Sequence, residues 1–152
     1  MDNALLLPLI NEVLAANGVA SVDQGQLEIV LNMVKERMTY VADFWPQASF
    51  FFQSPSTIDV DTVKPKWNAN KTVFFEQMIV AFQQKENWLA SELEPFFKQE
   101  VANSGMKIGE LMMPYRIMLV GGKFGPDVFL ITELLGKDEV IARIEKAPPL
   151  FQ

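Results

Sequence analysis

The chain has 152 residues, which suits one domain or two small lobes sharing a core. It contains no cysteine and no histidine. That excludes disulfides, thiolate nucleophiles, Cys/His zinc sites and a histidine general base. The net charge of −6 argues weakly against a nucleic-acid partner, because phosphate contacts need clustered Lys and Arg.

With 49% hydrophobic and 21% charged residues the composition is that of a globular protein with a real core. No apolar run approaches the ~20 residues of a membrane span, so no membrane partner is expected. Leu5-Leu6-Leu7 has no basic stretch before it, so a signal peptide is not expected. The absence of cysteine is consistent with a cytoplasmic setting.

Residues 2–17 read as a helix, with Leu6, Leu9, Ile10, Val13 and Leu14 at helical spacing and Gly18 closing it. Pro8 places the start near or just before itself. Asp23 is a good N-cap for a helix to about Met38, with Leu27, Val30, Leu31, Val34 and Met38 as its stripe. Thr39 is expected to cap a third helix, to about Ala48. Phe50-Phe51-Phe52 then form an aromatic plug before a turn at 53–56. Residues 58–66 read as loop with at most one helical turn. A lobe boundary is expected around 54–70.

A long helix is expected from Asn70 to about Leu89, with Phe74, Met78, Ala81 and Phe82 as its stripe, widened by Phe75, Ile79 and Trp88. Ser91 to Glu94 has the capping-box pattern, and Gly105 stops the helix that follows. Residues 108–113 read as a short helical piece, and Pro114 as the first residue of a new helix to about Val120. Gly121 to Gly125 is a loop. Pro126 is expected to open a helix to Leu135 that Gly136 ends. Asp138 is expected to cap the last helix, which runs to about Ala147 and is stopped by Pro148-Pro149. Period-two alternation is nowhere convincing. The expected fold is all-α, a cage or bundle of about eight or nine helices.

Few residues suggest chemistry. Gly121-Gly122-Lys123-Phe124-Gly125 follows an apolar run, but it matches neither phosphate-loop pattern, and a helix–loop–helix corner explains it better. Asp59 and Asp61 could pair for metal or acid–base work, although loop aspartates two apart more often cap helices or face water. Phe50 to Phe52 could stack bases, but aromatics at such spacing usually fill a core. Arg116 lies on an apolar helix, where its charge needs an acid such as Glu133 or Glu139, or a route to water. An arginine fork also suits base edges and phosphates. From Gly105 to Phe124 there are three cations, Lys107, Arg116 and Lys123, against one anion, Glu110. On these residues alone the chain is a helical domain with no catalytic residue and no metal site of its own.

The stretch from Lys107 to Lys137 resembles the C-terminal anticodon-binding region of class I glutamyl-tRNA synthetases. The matching elements are Lys107 with Gly109, Pro114-Tyr115-Arg116, Gly121, Gly125-Pro126, and Leu134-Leu135-Gly136-Lys137. Upstream, residues 34–39, Asp43-Phe44 and Phe50 to Phe52 resemble further elements of the same region. The resemblance implies a helical cage covering residues 1–152. It implies that Arg37 reads the third anticodon base and Arg116 the first. Gly125, Pro126, Asp127 and Val128 would surround the middle base, with Lys107 and Lys123 as backbone contacts. Gly125 departs from a threonine found in some relatives, Val120 from a frequent threonine and Tyr115 from a leucine. At Gly125 the departure leaves the middle base to backbone groups.

The implied partner is the anticodon stem-loop of glutamate tRNA, not DNA, and a monomer is expected. Neither catalytic signature of the family is present, so the chain reads as a fragment of a larger ligase and Met1 as an added start. ATP and magnesium would belong to the missing catalytic domain, with no cofactor here. The alternative is a helical protein-interaction module with no RNA role, motivated by the charge of −6 and the aromatic content.

Overall fold

The computed structural model describes residues 2–20 and 22–152. Among them there is no β-strand, and the fold is all-α as the periodicity requires. The chain divides into two compact units, the first ending at Gln53 and the second running Ser54–Gln152.

In the first unit α1 (Asn3–Ala16) begins before the proline, with the Asp2 carboxylate accepting from the Ala4 amide. Pro8 lies inside the helix. It cannot bond the carbonyl four residues back, but Pro8 and Ala4 are both exposed, so water serves that carbonyl. The buried edge is Leu6, Ile10 and Leu14; Leu9 stays 40% exposed.

Helix α2 (Gln24–Val34) has Asp23 as its cap, as expected, but ends four residues before Met38. A 3-10 turn, Lys35–Arg37, replaces the last turn. The next cap is reversed from expectation. Thr39 does not cap; the Asp43 carboxylate reaches back to the Thr39 and Tyr40 amides, each at 2.8 Å. A 3-10 turn, Val41–Asp43, then leads into α3 (Phe44–Ala48). Phe44, Ala48, Leu27, Leu31 and Val34 form the core of this unit. Of the aromatic plug, Phe50 is buried, while Phe51 and Phe52 are half-buried. Phe52 stacks on Trp45 at 6.4 Å.

In the second unit residues 58–66 are more helical than expected, with α4 (Val60–Val63) and a 3-10 turn at Lys64–Lys66. Helix α5 (Ala69–Gln84) is capped by Asn68 and stops well before Leu89. The segment after it is pulled away by tertiary bonds. Lys137 donates to the Lys85 carbonyl, and Trp88 Nε1 to the Thr132 carbonyl at 2.9 Å. Helix α6 (Ala90–Ser104) does not use its capping box. Glu133, 43 residues away, accepts the Ala90 amide at 2.7 Å, and Glu94 instead pairs with Lys98. A distant carboxylate does the local one's work.

One continuous helix, α7 (Ile108–Val120), replaces the two expected pieces. Pro114 is inside it and buried, while Glu110, whose carbonyl the proline cannot bond, is exposed. Helix α8 (Val128–Leu135) starts after Pro126, with Asp127 as its N-cap. Helix α9 (Lys137–Lys146) follows Gly136 directly, and Asp138 lies in its first turn without a side-chain cap bond. Pro148 and Pro149 end α9 but also open a further turn, α10 (Pro148–Phe151).

Helices α5 and α7 pack on α9, and α6 packs on α8. The centre is aromatic. Phe97 stacks on Tyr115 at 4.8 Å and meets Phe129 edge-on at 5.7 Å. Each such pair adds ~0.5–1.5 kcal/mol beyond its buried area. This fixes the C-terminal half of α7 against α6 and α8 and so sets where Arg116 emerges.

Candidate functional site

Arg116 stands one residue after buried Tyr115 on α7 and is half-buried. Its head reaches the loop that links α7 to α8. There Nη1 donates to the Pro126 carbonyl at 2.8 Å. The acids expected as partners have other bonds: Glu133 holds the start of α6, and Glu139 accepts from Arg143 at 2.8 Å.

The loop is shaped for this approach. Gly121 closes α7 with φ 90°, its amide bonded to the Ile117 carbonyl at 2.8 Å. A Cβ there would meet the Thr57 carbonyl at 3.0 Å, so residues 55–59 ride against the glycine. The Asp59 amide bonds the Gly121 carbonyl at 2.9 Å. At Gly125 a Cβ would lie 3.1 Å from Arg116 Nη1. Pro126 is buried, and the Asp127 carboxylate accepts from the Phe129 and Leu130 amides at 2.8 and 3.1 Å. Asp127 is thus committed to the helix start, and Val128 is buried at 4% exposure.

The structure therefore brings Arg116, Gly125 and Pro126 together, with Asp127 and Val128 next along the chain. Lys123 is exposed on the same loop. The Asp59 carboxyl is held below the usual carboxylate range by the Thr62 hydroxyl first, then by the Thr62 amide and least by the Lys123 charge. Lost hydration partly offsets these. Asp59 caps α4 through the Thr62 amide, so of the two loop aspartates it is a cap, and Asp61 is exposed in the first turn. Lys107 is not part of the Arg116 group. It precedes the first turn of α7, nine residues before Arg116, and at ~100° per residue the two project on opposite sides of the helix, roughly 13 Å apart along its axis.

Arg37 belongs to the first unit. It ends the 3-10 turn after α2, is exposed, and its Nη1 donates to the Met33 carbonyl at 3.4 Å. A cation there complements the negative end of α2.

One feature of the loop was not expected from the sequence. Phe124, between Lys123 and Gly125, is 86% exposed and leads the large hydrophobic residues in exposure among those described. The signal was an aromatic inside a glycine-rich turn with no periodic partner. An exposed aromatic ring and a lysine thus stand on the loop that the Arg116 guanidinium of α7 contacts. Such a set offers charge, stacking and hydrogen-bond donors together. Among the described residues no group of three or more His, Cys, Asp or Glu side chains could hold a metal ion. Likewise no helix is long and apolar enough to cross a membrane.

Comparison with known proteins gives concordant findings. Residues 4–148 match the model of a family described as "Anticodon binding domain". A glutamate–tRNA ligase of Porphyromonas gingivalis is 33% identical over 146 residues, covering 96% of this chain and 29% of that protein. One from Flavobacterium johnsoniae is 32% identical over 118 residues, covering 78% and 23%. Among solved structures, the glutamate tRNA ligase of Elizabethkingia meningosepticum in complex with its amino acid is similar with a TM-score of 0.86 and 33% identity. That match covers 97% of this chain and 29% of the other. The chain thus spans less than a third of the length of these relatives.

Proposed function

This chain belongs to the anticodon-binding domain family, and on that premise we propose that it recognises the anticodon loop of glutamate tRNA as part of a glutamate–tRNA ligase. The observation that supports the reading most directly is the Arg116 head held on the Pro126 carbonyl beside Gly125. Single-stranded loop bases are recognised after they are splayed out, stacked and hydrogen-bonded on their edges. In this reading Arg116 contacts the first anticodon base, Arg37 the third, and the Gly125 to Val128 turn lies around the middle one. Asp127 acts there by fixing the turn, since its carboxylate is taken by the α8 amides. Lys123 supplies a backbone contact, and Lys107 another at a separate place on the RNA.

The ATP and magnesium that ligation uses would be held by the catalytic part of the whole protein. A monomer in the cytoplasm fits the same reading. The test is a binding titration with the anticodon stem-loop at fixed salt, repeated in the full-length enzyme. Arg116→Ala and Arg37→Ala should each weaken binding and relax base preference. Unchanged affinity and preference in both would overturn the assignment. Salt-independent binding, or capture of protein in place of RNA, would favour the interaction-module reading.

A further inference from the structure

A second site lies in the same unit and involves none of the residues proposed to contact RNA. It is a cavity of about 250 Å³ between α9, α10, the end of α7 and residues 54–60. Ile58, Val60 and Met118 give it an apolar floor, and Leu150, Ser54, Ser56 and Thr57 also line it. Arg143 and Lys146 line it, and no acidic residue does.

Arg143 is the informative residue. Its side chain is only 3% exposed. Nε donates to Glu139 at 2.8 Å, and Nη1 to the Leu119 carbonyl at 2.6 Å. Those bonds explain how the charge is tolerated and how the end of α7 is closed. No hydrogen bond engages Nη2 among the described residues. No buried side-chain nitrogen or oxygen there lacks a partner. Nη2 is therefore open to solvent, and the cavity is what Arg143 lines. A nearly buried guanidinium that lines a concave apolar surface and keeps one nitrogen out of its hydrogen bonds is a prepared anion contact. Lys146 is exposed in the last turn of α9, where it adds a second positive charge.

We propose that this cavity binds a nucleoside monophosphate, with the phosphate on Arg143 and Lys146 and the base on the Met118 and Ile58 floor. Arg143, paired with Glu139, and Lys146 line the cavity with no acid on its surface, which suits a phosphate monoester carrying about −1.5 to −2 charges at neutral pH. The volume accommodates one ring system and a phosphate. The polarisable sulfur of Met118 favours an aromatic ring over an alkyl group. The nucleotide is either free or the phosphorylated end of a strand.

The test is an NMR titration of the 152-residue chain with adenosine 5′-monophosphate at constant ionic strength, in parallel with adenosine and with inorganic phosphate. Amides of residues 54–58 and 143–150 should shift, and the nucleotide should bind about tenfold or more tighter than either half, a difference of ~1.4 kcal/mol. Lys146→Glu, an exposed change that leaves Arg143 in place, should lower that affinity about fivefold or more by reversing one of two charges. Arg143→Lys is the second variant, read only where its melting temperature shows it folded. A short oligoribonucleotide with and without a 5′-phosphate separates the sources. Competition by the phosphorylated strand alone assigns the site to a strand end, and competition by neither assigns it to the free nucleotide. Shifts elsewhere, equal binding of inorganic phosphate, or full affinity in Lys146→Glu would overturn the proposal. Stem-loop binding plays no part in these readouts, so either proposal can fail while the other stands.

Discussion

Arg116 donates from Nη1 to the Pro126 carbonyl at 2.8 Å, and the place a Cβ would take on Gly125 is 3.1 Å from that same nitrogen. The glycine and the arginine are thus coupled: the bond forms in its present geometry because Gly125 has no side chain. That spacing is tighter than most real Cβ contacts, but the guanidinium is the far end of a flexible side chain and can move aside. Gly125 also has φ 158°, which side-chain-bearing residues rarely adopt, so Gly125→Ala should both strain the turn and displace Arg116. The expected result is weaker stem-loop binding together with a lowered melting temperature, measured by titration and calorimetry on one sample. A large loss of stability with unchanged binding would contradict the coupling.

Arginines that read base edges contribute ~1–3 kcal/mol of discrimination each. Arg116→Ala and Arg37→Ala should each cost an amount in that range against the cognate anticodon loop. They should cost less against loops altered at the first and third base respectively. Lys123→Ala should lower affinity for all loops alike and flatten its salt dependence. The check is a matrix of variants and loop sequences at one salt concentration.

Phe124 is 86% exposed, so its ring contributes little to folding. Stacking of a base on such a ring is worth ~1–3 kcal/mol. Phe124→Ala should weaken stem-loop binding by that order and leave the melting temperature unchanged. Phe124→Tyr should restore binding, because it keeps the ring. If alanine binds as well as phenylalanine, the ring has no part in recognition.

Tyr115 is fully buried, and its hydroxyl is 2.7 Å from Thr132 Oγ1, which in turn donates to the Val128 carbonyl at 2.8 Å. With the threonine proton so used, the tyrosine is the donor between them. Burial pushes the Tyr115 phenol well above its usual range, so it stays a neutral donor. Thr132→Val leaves that donor without its partner and should cost ~1–3 kcal/mol of stability. Adding Tyr115→Phe should recover part of the loss, since both polar groups are then gone. Denaturant melts of the single and double variants give the coupling, and simple additivity would contradict it.

The Asp43 carboxyl is held below its usual pKa by the Tyr40 amide first and the Thr39 amide second. A carboxylate with a lowered folded pKa stabilises the fold above its unfolded value, near 3.9, and that contribution is lost as pH falls through the folded value. The Thr39 and Tyr40 amide shifts should therefore titrate with a midpoint below 3.8. Asp43→Ala should remove that step and bring faster amide exchange at both residues at neutral pH.

Periodicity in the sequence was enough to decide that the chain is helical and which faces are buried. Leu27, Val30, Leu31 and Val34, or Phe74, Met78 and Phe82, recur at the spacing that places them on one side of a helix, and all are buried. Caps were legible in part: Asp23 and Gly105 act as expected, whereas Thr39, Asp138 and the Ser91 to Glu94 box do not. Where helices begin and end was decided elsewhere. Helix α6 starts on a carboxylate 43 residues away, the segment after α5 is held by Trp88 and Lys137, and α7 runs through Pro114 because the affected carbonyl belongs to an exposed residue. The Arg116 to Pro126 bond, the crowding at Gly125, the exposure of Phe124 and the open nitrogen of Arg143 likewise depend on atoms distant in sequence. Local patterns carry propensity and burial, because those are set by neighbours a turn away. The meeting of a particular donor with a particular acceptor is settled only when packed helices bring them within about 3 Å.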